Sequence, residues 1–442
     1  MQRTPLTVSL LLSFGLAALT PALHADDYYV SATRGKGKKG TKEEPVRDLG
    51  VIAGKLKAGD TIYIAGGTYV GLSESGTDEI SVPVRILGGY DDTFTTRDPW
   101  GTTKTVLSGN NTAKNFSGKA RLHVGNRRNK AGGEIVIDGI VVDNGARNGF
   151  MGEGALQICR RFQPKTGSNA APDSPGISVD APEGCKVTVT NCAVFNCAPT
   201  HKTGALKVFC AKDGVATIHN NLLVNNTGAG ICCLSSFHPK DGKDIPQFTV
   251  SHNTVLFTWK FDALSTDSGS SLKLESSVVA NVHHNVFAFS DAFGVDNAAK
   301  SKLTAMTQNL FCANSQTHYR EFSTDIAVTG LDEEAQHIDD SAGNVEHNIS
   351  VPAPSVWAAA WATRVIVDRQ VAESEVKAKN NWQNDVRSML NLPLQGTDLK
   401  LDTPVWLHRI DTDGALACGL ASYHDGAGCQ NPNANVPSKP TK

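Results

Sequence analysis

The tetrapeptide Val189-Thr-Asn-Cys192 returns down the chain as Ile218-His-Asn-Asn221, Val250-Ser-His-Asn253 and Val282-His-His-Asn285. Each copy is an apolar residue, two mostly polar ones and then Asn (once Cys). Another apolar residue follows two positions later, at Val194, Leu223, Val255 and Phe287. Weaker copies flank the set: 137–140 with Val142 before it, then 306–309 with Phe311, and 345–348 after it. The fourth positions are separated by steps of 52, 29, 32, 32, 24 and 39 residues. Near-regular spacing of this kind is the mark of stacked supersecondary units.

The local pattern says which unit. Short runs rich in Val, Ile, Phe and Thr end at Asn, the non-glycine residue that best tolerates the left-handed backbone conformation. Strand, Asn bend, strand is how a chain turns a corner in a parallel β-helix. Successive coils then lie ~4.8 Å apart, each Asn stacks on the next, and the apolar positions form interior columns. The competing reading, an amphipathic helix with an embedded Asn, conflicts with the β-branched content and the recurrent Gly. The sequence therefore predicts an all-β solenoid.

Residues 1–25 read as a secretory signal: Arg3, an apolar run over 8–19, and Ala25 before Asp26. The run is too short to span a bilayer, and no later stretch qualifies. Removing these residues takes Arg3 from 42 basic side chains and none from 44 acidic ones, moving the net charge from −2 to −3. A near-neutral chain has no electrostatic footprint for nucleic acid. The ten cysteines all follow the signal. An exported chain leaves disulfides chemically open, with Cys192/Cys197 and Cys418/Cys429 the nearest separated pairs. Buried thiols filling coil interiors are the other reading.

Residues 26–72 contain Asp27-Tyr-Tyr-Val-Ser-Ala, Gly40-Thr-Lys-Glu-Glu-Pro45 and Gly59-Asp-Thr-Ile, followed by Gly66-Gly-Thr-Tyr69. This segment resembles the N-terminal portion of secreted bacterial right-handed parallel β-helix proteins of the pectate-lyase-like superfamily. Leu87-Gly-Gly-Tyr90, with Phe94, Arg97-Asp98 and Leu107-Ser-Gly109, is similar to the first coils of bacterial surface β-helix proteins. The resemblance implies a single-stranded right-handed parallel β-helix over 26–351, opened by an N-terminal cap (26–72) and followed by a C-terminal cap and irregular tail (352–442). An open solenoid end exposes strand edges and an apolar core, so caps are physically required. Leu49, Ile52 and Leu56 have the spacing of a short capping helix within 46–57. Trp357, Trp361, Trp382 and Trp406 mark the tail, with a helix expected over 371–390. Residues 161–184, rich in Pro, Gly, Ser and Asp, read as a loop thrown out from one coil.

Candidate chemistry follows from alternation. Aligning one strand of each coil on Leu156, Leu206, Ile231, Leu272 and Gly294 places Gln157, Lys207, Cys232, Lys273 and Asp296 in one outward column. In the resembling superfamily this exterior is commonly the polysaccharide groove. The implied reaction is β-elimination from a uronate, in which a base removes the proton α to the carboxylate while a cation stabilises the charge. Lys273 and Lys207 are the candidate catalytic residues, and Gln157 and Asp296 the candidate substrate contacts. Calcium held by Asp or Glu is the cofactor expected if the protein is a lyase, since hard cations prefer oxygen.

His252 and His284 recur at one position, and His219 and His283 at another. The expectation there is a hydrogen-bonded polar stack without metal. The paired-Asp and Gly-His-Gly pattern of inverting polygalacturonases is absent, as are the Trp-Ile-Asp-His and Arg-x-Pro-x-x-Arg signatures of the best-known pectate lyases. Two functions stay open: a secreted polysaccharide lyase, or a non-catalytic surface or matrix protein binding glycan or a protein partner. A cleft with convergent lysines and carboxylates favours the first, a flat Asn/Thr face the second.

Overall fold

The computed structural model describes residues 25–73, 76–109, 119–145, 147, 156–157, 175–199, 203–236, 243–260, 268–276, 278–353, 406–407 and 409–435. The expected signal, most of the 161–184 loop and the expected 371–390 helix lie outside them, as do Trp357, Trp361 and Trp382. Three nine-stranded sheets form the molecule. The chain visits sheet A, sheet B and sheet C in turn, once per coil. One coil, for example, runs through Lys186–Thr190, Ala193–Phe195 and Gly204–Cys210. Within these three sheets the strands pair in parallel with their counterparts in neighbouring coils, except for one antiparallel hairpin at the end of sheet C. This is a parallel β-helix.

The repeated phrase maps onto the fold column by column. Its leading residues Ile137, Val189, Ile218, Val250, Val282 and Met306 are in register in sheet A. Its followers Val142, Val194, Leu223, Val255, Phe287 and Phe311 are in register in sheet B. All twelve are fully buried and belong to one continuous core. Burial of a Val, Leu or Phe stabilises by roughly 1.5–3 kcal/mol, so stacked columns of this length contribute a large share of what holds the coils together.

The corner itself divides labour differently from expectation. The left-handed residues are the third of each phrase: Asn191, Asn220, His252, His284 and Gln308, with φ between 53° and 55°. The fourth residue turns inward instead. Asn221, Asn253, Asn285 and Asn309 each accept the backbone N–H of the equivalent residue one coil earlier, at 2.9–3.0 Å. The ladder's last rung is Asn344, which accepts from Asn309. Asn348, the expected position, is exposed. An inward amide has four hydrogen-bonding sites to satisfy, and the coils above and below supply them. A second left-handed corner, between sheets B and C, falls at Asn196, Asn225, Phe257, Phe289 and Ala313.

The N-terminal plug is present, but as two 3-10 turns, Leu49–Val51 and Ala53–Lys55, in place of a helix. Gly50 and Gly54 weaken helix propagation, and Asp48 caps the first turn by accepting from the Gly50 N–H at 3.0 Å. Leu49, Ile52 and Leu56 still point into the core, which the spacing required. At the far end sheet B continues to Val345–Glu346, while sheet C ends in a hairpin. Strand Thr324–Ile326 folds back antiparallel on Thr317–Glu321, and Ile326 and Leu331 seal the core. That hairpin blunts the exposed edge of sheet C.

The described part of the tail is not an end cap. It runs along the outside of sheet B. Helix Thr412–Ala421 starts at Asp411, whose side chain accepts from Gly414 N, and it buries Ala415, Leu416 and Cys418. These residues form a second apolar cluster with outward residues of sheet B, among them Leu222, Val224, Leu256 and Trp259. Sheet B is thus covered on both faces, so its strands Leu222–Thr227 and Thr254–Trp259 are buried throughout instead of alternating. The nine described cysteines are buried free thiols. Cys192 and Cys197 bracket strand Ala193–Phe195, one at each corner, and neither they nor Cys418 and Cys429 are bridged.

Candidate functional site: a cleft on sheet C

The outward column of sheet C reads, in register, Glu79, His123, Ser178, Lys207, Cys232, Lys273, Asp296 and Arg320. Lys207, Lys273 and Asp296 therefore stand on one face as the alternation required. Gln157 does not. Strand Leu156–Gln157 pairs antiparallel with Trp406–Leu407 in a separate two-stranded sheet. The coil's own sheet C strand is Ile177–Ala181, inside the stretch read as loop, and it puts Ser178 where Gln157 was expected. The alternation Ile177-Ser-Val-Asp-Ala181 carried that signal, masked by the Pro, Gly and Asp around it. In the last coils Val295, and not Gly294, is the inward residue that sets Asp296 outward.

The column separates into two halves. Towards the N-terminus a cavity of about 290 Å³ opens over it, lined among others by Glu79, Lys119, His123, Ser178, Asp180 and Lys207. Asp180 is its pivot. One carboxylate oxygen lies 3.8 Å from Lys207 Nζ and the other 4.0 Å from His123 Nε2. All three side chains are about a quarter exposed, open to a ligand yet partly shielded. Glu79 and Lys119 pair at 3.6 Å on the rim. Beneath the rim, fully buried Arg121 pairs with Asp78 at 2.5 Å and donates to the Tyr69 carbonyl at 2.8 Å. Arg121 and Asp78 are ~3–5 kcal/mol worse off if either partner is removed, so they hold this wall in place. Burial pushes the Asp78 carboxyl up, against the pull of Arg121. The contact is a single bond donated by Arg121 Nη1 to one Asp78 oxygen.

Towards the C-terminus the column is closed. Lys273 is 4% exposed and its ammonium lies 2.9 Å from Glu275. Asp296 is fully buried and gripped by the Arg320 fork at 2.9 and 2.7 Å. Burial pushes the Asp296 carboxyl up, with Arg320 and then Lys273 opposing. Arg320 in turn lies 4.0 Å above the Phe293 ring. These groups face one another, and not a ligand. Of the three expected site residues whose side chains are described, Lys207 alone lines the open cleft. His123, Asp180 and Glu79 join it, unsignalled by the repeat.

The histidines converge more than a polar stack requires. His252 and His284 stack at 4.8 Å between centroids, and His283 Nδ1 lies 3.0 Å from His284 Nδ1. Burial, then the neighbouring His219, His284 and His283, push the His252 imidazole down to about 4. Burial lowers His219 and His283 as well.

Comparison with protein-family models and with curated proteins finds no match to this chain. Among the described residues, no helix is long and apolar enough to cross a membrane.

Proposed function

We propose that this is a secreted carbohydrate-active β-helix protein, a polysaccharide lyase that cleaves uronate chains by β-elimination in the cleft on sheet C. The observation that carries the reading is Asp180 set between Lys207 and His123 in an open cavity. Its resemblance to the pectate-lyase-like superfamily supports the same direction, and fold alone would not suffice.

The chemistry divides among these groups. Lysine acts as a base only when desolvation or neighbouring positive charge displaces its proton. Lys207 faces a carboxylate, so it suits the role of the cation that holds the uronate carboxylate and the charge that develops there. His123 is the base, with the Asp180 carboxylate 4.0 Å from its Nε2 to offset the positive charge the ring gains. His123 takes the proton α to the carboxylate, the C4–O bond breaks, a C4–C5 double bond forms, and the leaving oxygen is protonated from water. Calcium takes six to eight oxygen ligands. Besides the hydroxyls of Thr77, Ser178 and Thr203 the cleft offers two carboxylates, Glu79 and Asp180, each already paired with a lysine, a charge balance that does not fit calcium, and no step runs through it.

A second reading, glycan binding without catalysis, draws on sheet A. Thr188, Thr217, Thr249 and Asn281 form one outward file there, half-buried and in register. The two readings part in a panel experiment. Purified protein is incubated with uronate and neutral polysaccharides while ultraviolet absorbance of an unsaturated product and retention on immobilised glycan are followed. Absorbance that rises on a uronate polymer is expected, with His123→Ala slowing it ~10²–10⁴-fold. Retention without any product, from folded protein, would leave only the binding reading.

A further inference from the structure

The corner between sheets A and B is regular in every coil but two. Asn191, Asn220 and Gln308 occupy its left-handed position elsewhere, while His252 and His284 occupy it in the coils between. Their rings stack 19° from parallel. His283, at the end of strand Val279–His283, turns its ring against both. One ligand atom from each of the three residues can be chosen so that all lie within 4.8 Å of one another. The Nδ1 atoms of His283 and His284 are only 3.0 Å apart.

Such a pose is poorly explained by ring–ring contact alone. A neutral imidazole has one N–H and one lone pair, so two facing Nδ1 atoms share at most one proton. A metal bound by imidazole at ~2.0–2.1 Å in tetrahedral geometry holds its nitrogens ~3.4 Å apart. The His283/His284 pair is already near that bite, and the His252 nitrogen, within 4.8 Å of the other two, has to close towards it to complete the set. The scaffold is stiff, because Asn253 and Asn285 of the inward ladder follow directly on His252 and His284. From outside, the Gly428 N–H donates to the His284 carbonyl at 2.8 Å, and Gly426 stands off the His284 ring without a side chain. Beside His252 a cavity of about 410 Å³, bordered by His219, Asn220 and Gln430, leaves room for a further ligand.

We propose that His252, His283 and His284 form a binding site for one divalent transition metal ion of the zinc and copper class, with a coordination position open to that cavity. Three imidazole nitrogens with no carboxylate among them select such ions over calcium or magnesium. The site lies on a different corner from the sheet C cleft and does not rest on the lyase reading.

The test uses tag-free, chelator-stripped full-length protein, titrated calorimetrically with Zn²⁺, Cu²⁺ and Ca²⁺, and with Co²⁺ followed by its visible absorption. His252→Asn and His284→Asn keep a residue that this corner accepts in other coils, so folding is retained and is checked by circular dichroism. One Zn²⁺ per chain is expected, together with a tetrahedral Co²⁺ spectrum. Each variant should weaken binding at least ~10-fold, the double variant should abolish it, and Ca²⁺ should give no heat at this site. His123→Ala should bind zinc as the wild type does. Folded wild-type protein that takes up neither Zn²⁺ nor Co²⁺ stoichiometrically would overturn the proposal, as would uptake unchanged in the double variant.

Discussion

Asn253 shows how much one side chain can hold. Its Oδ1 accepts from the Asn221 backbone at 3.0 Å and from Asn221 Nδ2 at 2.9 Å. Its Nδ2 donates to the Ile218 carbonyl at 2.9 Å and to Asn285 Oδ1 at 3.0 Å. Alanine there strands two buried donors of Asn221. At about 1–3 kcal/mol per orphaned group, Asn253→Ala should cost ~2–5 kcal/mol, read as a lower free energy of unfolding in urea. A loss under ~0.5 kcal/mol would mean that the ladder is decoration. The repeat makes this residue and its stacking visible in the sequence, but the left-handed bend read onto it belongs to the residue before it, His252. Asn suits both a left-handed bend and an inward amide ladder, and composition alone does not say which of two adjacent polar residues bends. The later rungs separate them: where position three is His or Gln, position four is still Asn.

At the scale of the element, interior columns were legible because alternation and spacing are properties of a strand's own sequence. The cleft was less so. It needs Asp180 from a strand hidden in a Pro- and Gly-rich stretch, and His123 from the short strand Leu122–Val124, which carries no copy of the phrase. The plug shows the converse, since apolar spacing fixed which residues are buried, whereas two glycines decided the backbone. Cysteines belong to this scale too, as they fill the coils. Burial pushes the thiols of Cys185 and Cys312 up to about 11, and those of Cys192, Cys232, Cys418 and Cys429 up to about 12. In an unfolded chain a thiol ionises near ~8.5. Below that value both states hold the proton and stability is undiminished. Above it the unfolded chain releases protons that the native state retains, so stability falls as pH climbs towards the native values. The urea midpoint should therefore be flat from about pH 7 to 8 and decline steadily from about pH 9 to 11. A midpoint unchanged across that range would contradict free, buried thiols.

Across the whole molecule, the solenoid is a stack whose neighbours hold one another, and the chain's end is laid along it as a strap. Ile410 meets Asn196 at 2.8 Å and 3.0 Å, and Gln430 meets Asn220 at 3.0 Å and 2.7 Å. Helix Thr412–Ala421 lies on sheet B with Gly419 against Leu222, where an added Cβ would fall 2.2 Å from a Leu222 methyl. Gly419→Val should cost ~1–3 kcal/mol through overpacking and speed proteolytic removal of the strap, followed by intact-mass analysis. An unchanged cleavage rate would argue that the helix is not docked there. The strap was not legible, because its contacts span some two hundred residues and its sequence has no period. Among the described residues the strap lies on sheet B, and the cleft on sheet C is open beside Lys207.

The claim that activity resides in that cleft, and not in the buried Lys273 cluster, is tested most directly by comparing two lysine variants. Initial rates of unsaturated-product formation on a uronate polysaccharide would be measured for wild type, Lys207→Ala and Lys273→Ala, each verified as folded. The account predicts that Lys207→Ala loses at least ~10²-fold in kcat/KM, while any Lys273→Ala that folds retains activity within a few-fold of wild type. A Lys273→Ala protein that is folded and inactive, beside an active Lys207→Ala, would contradict it.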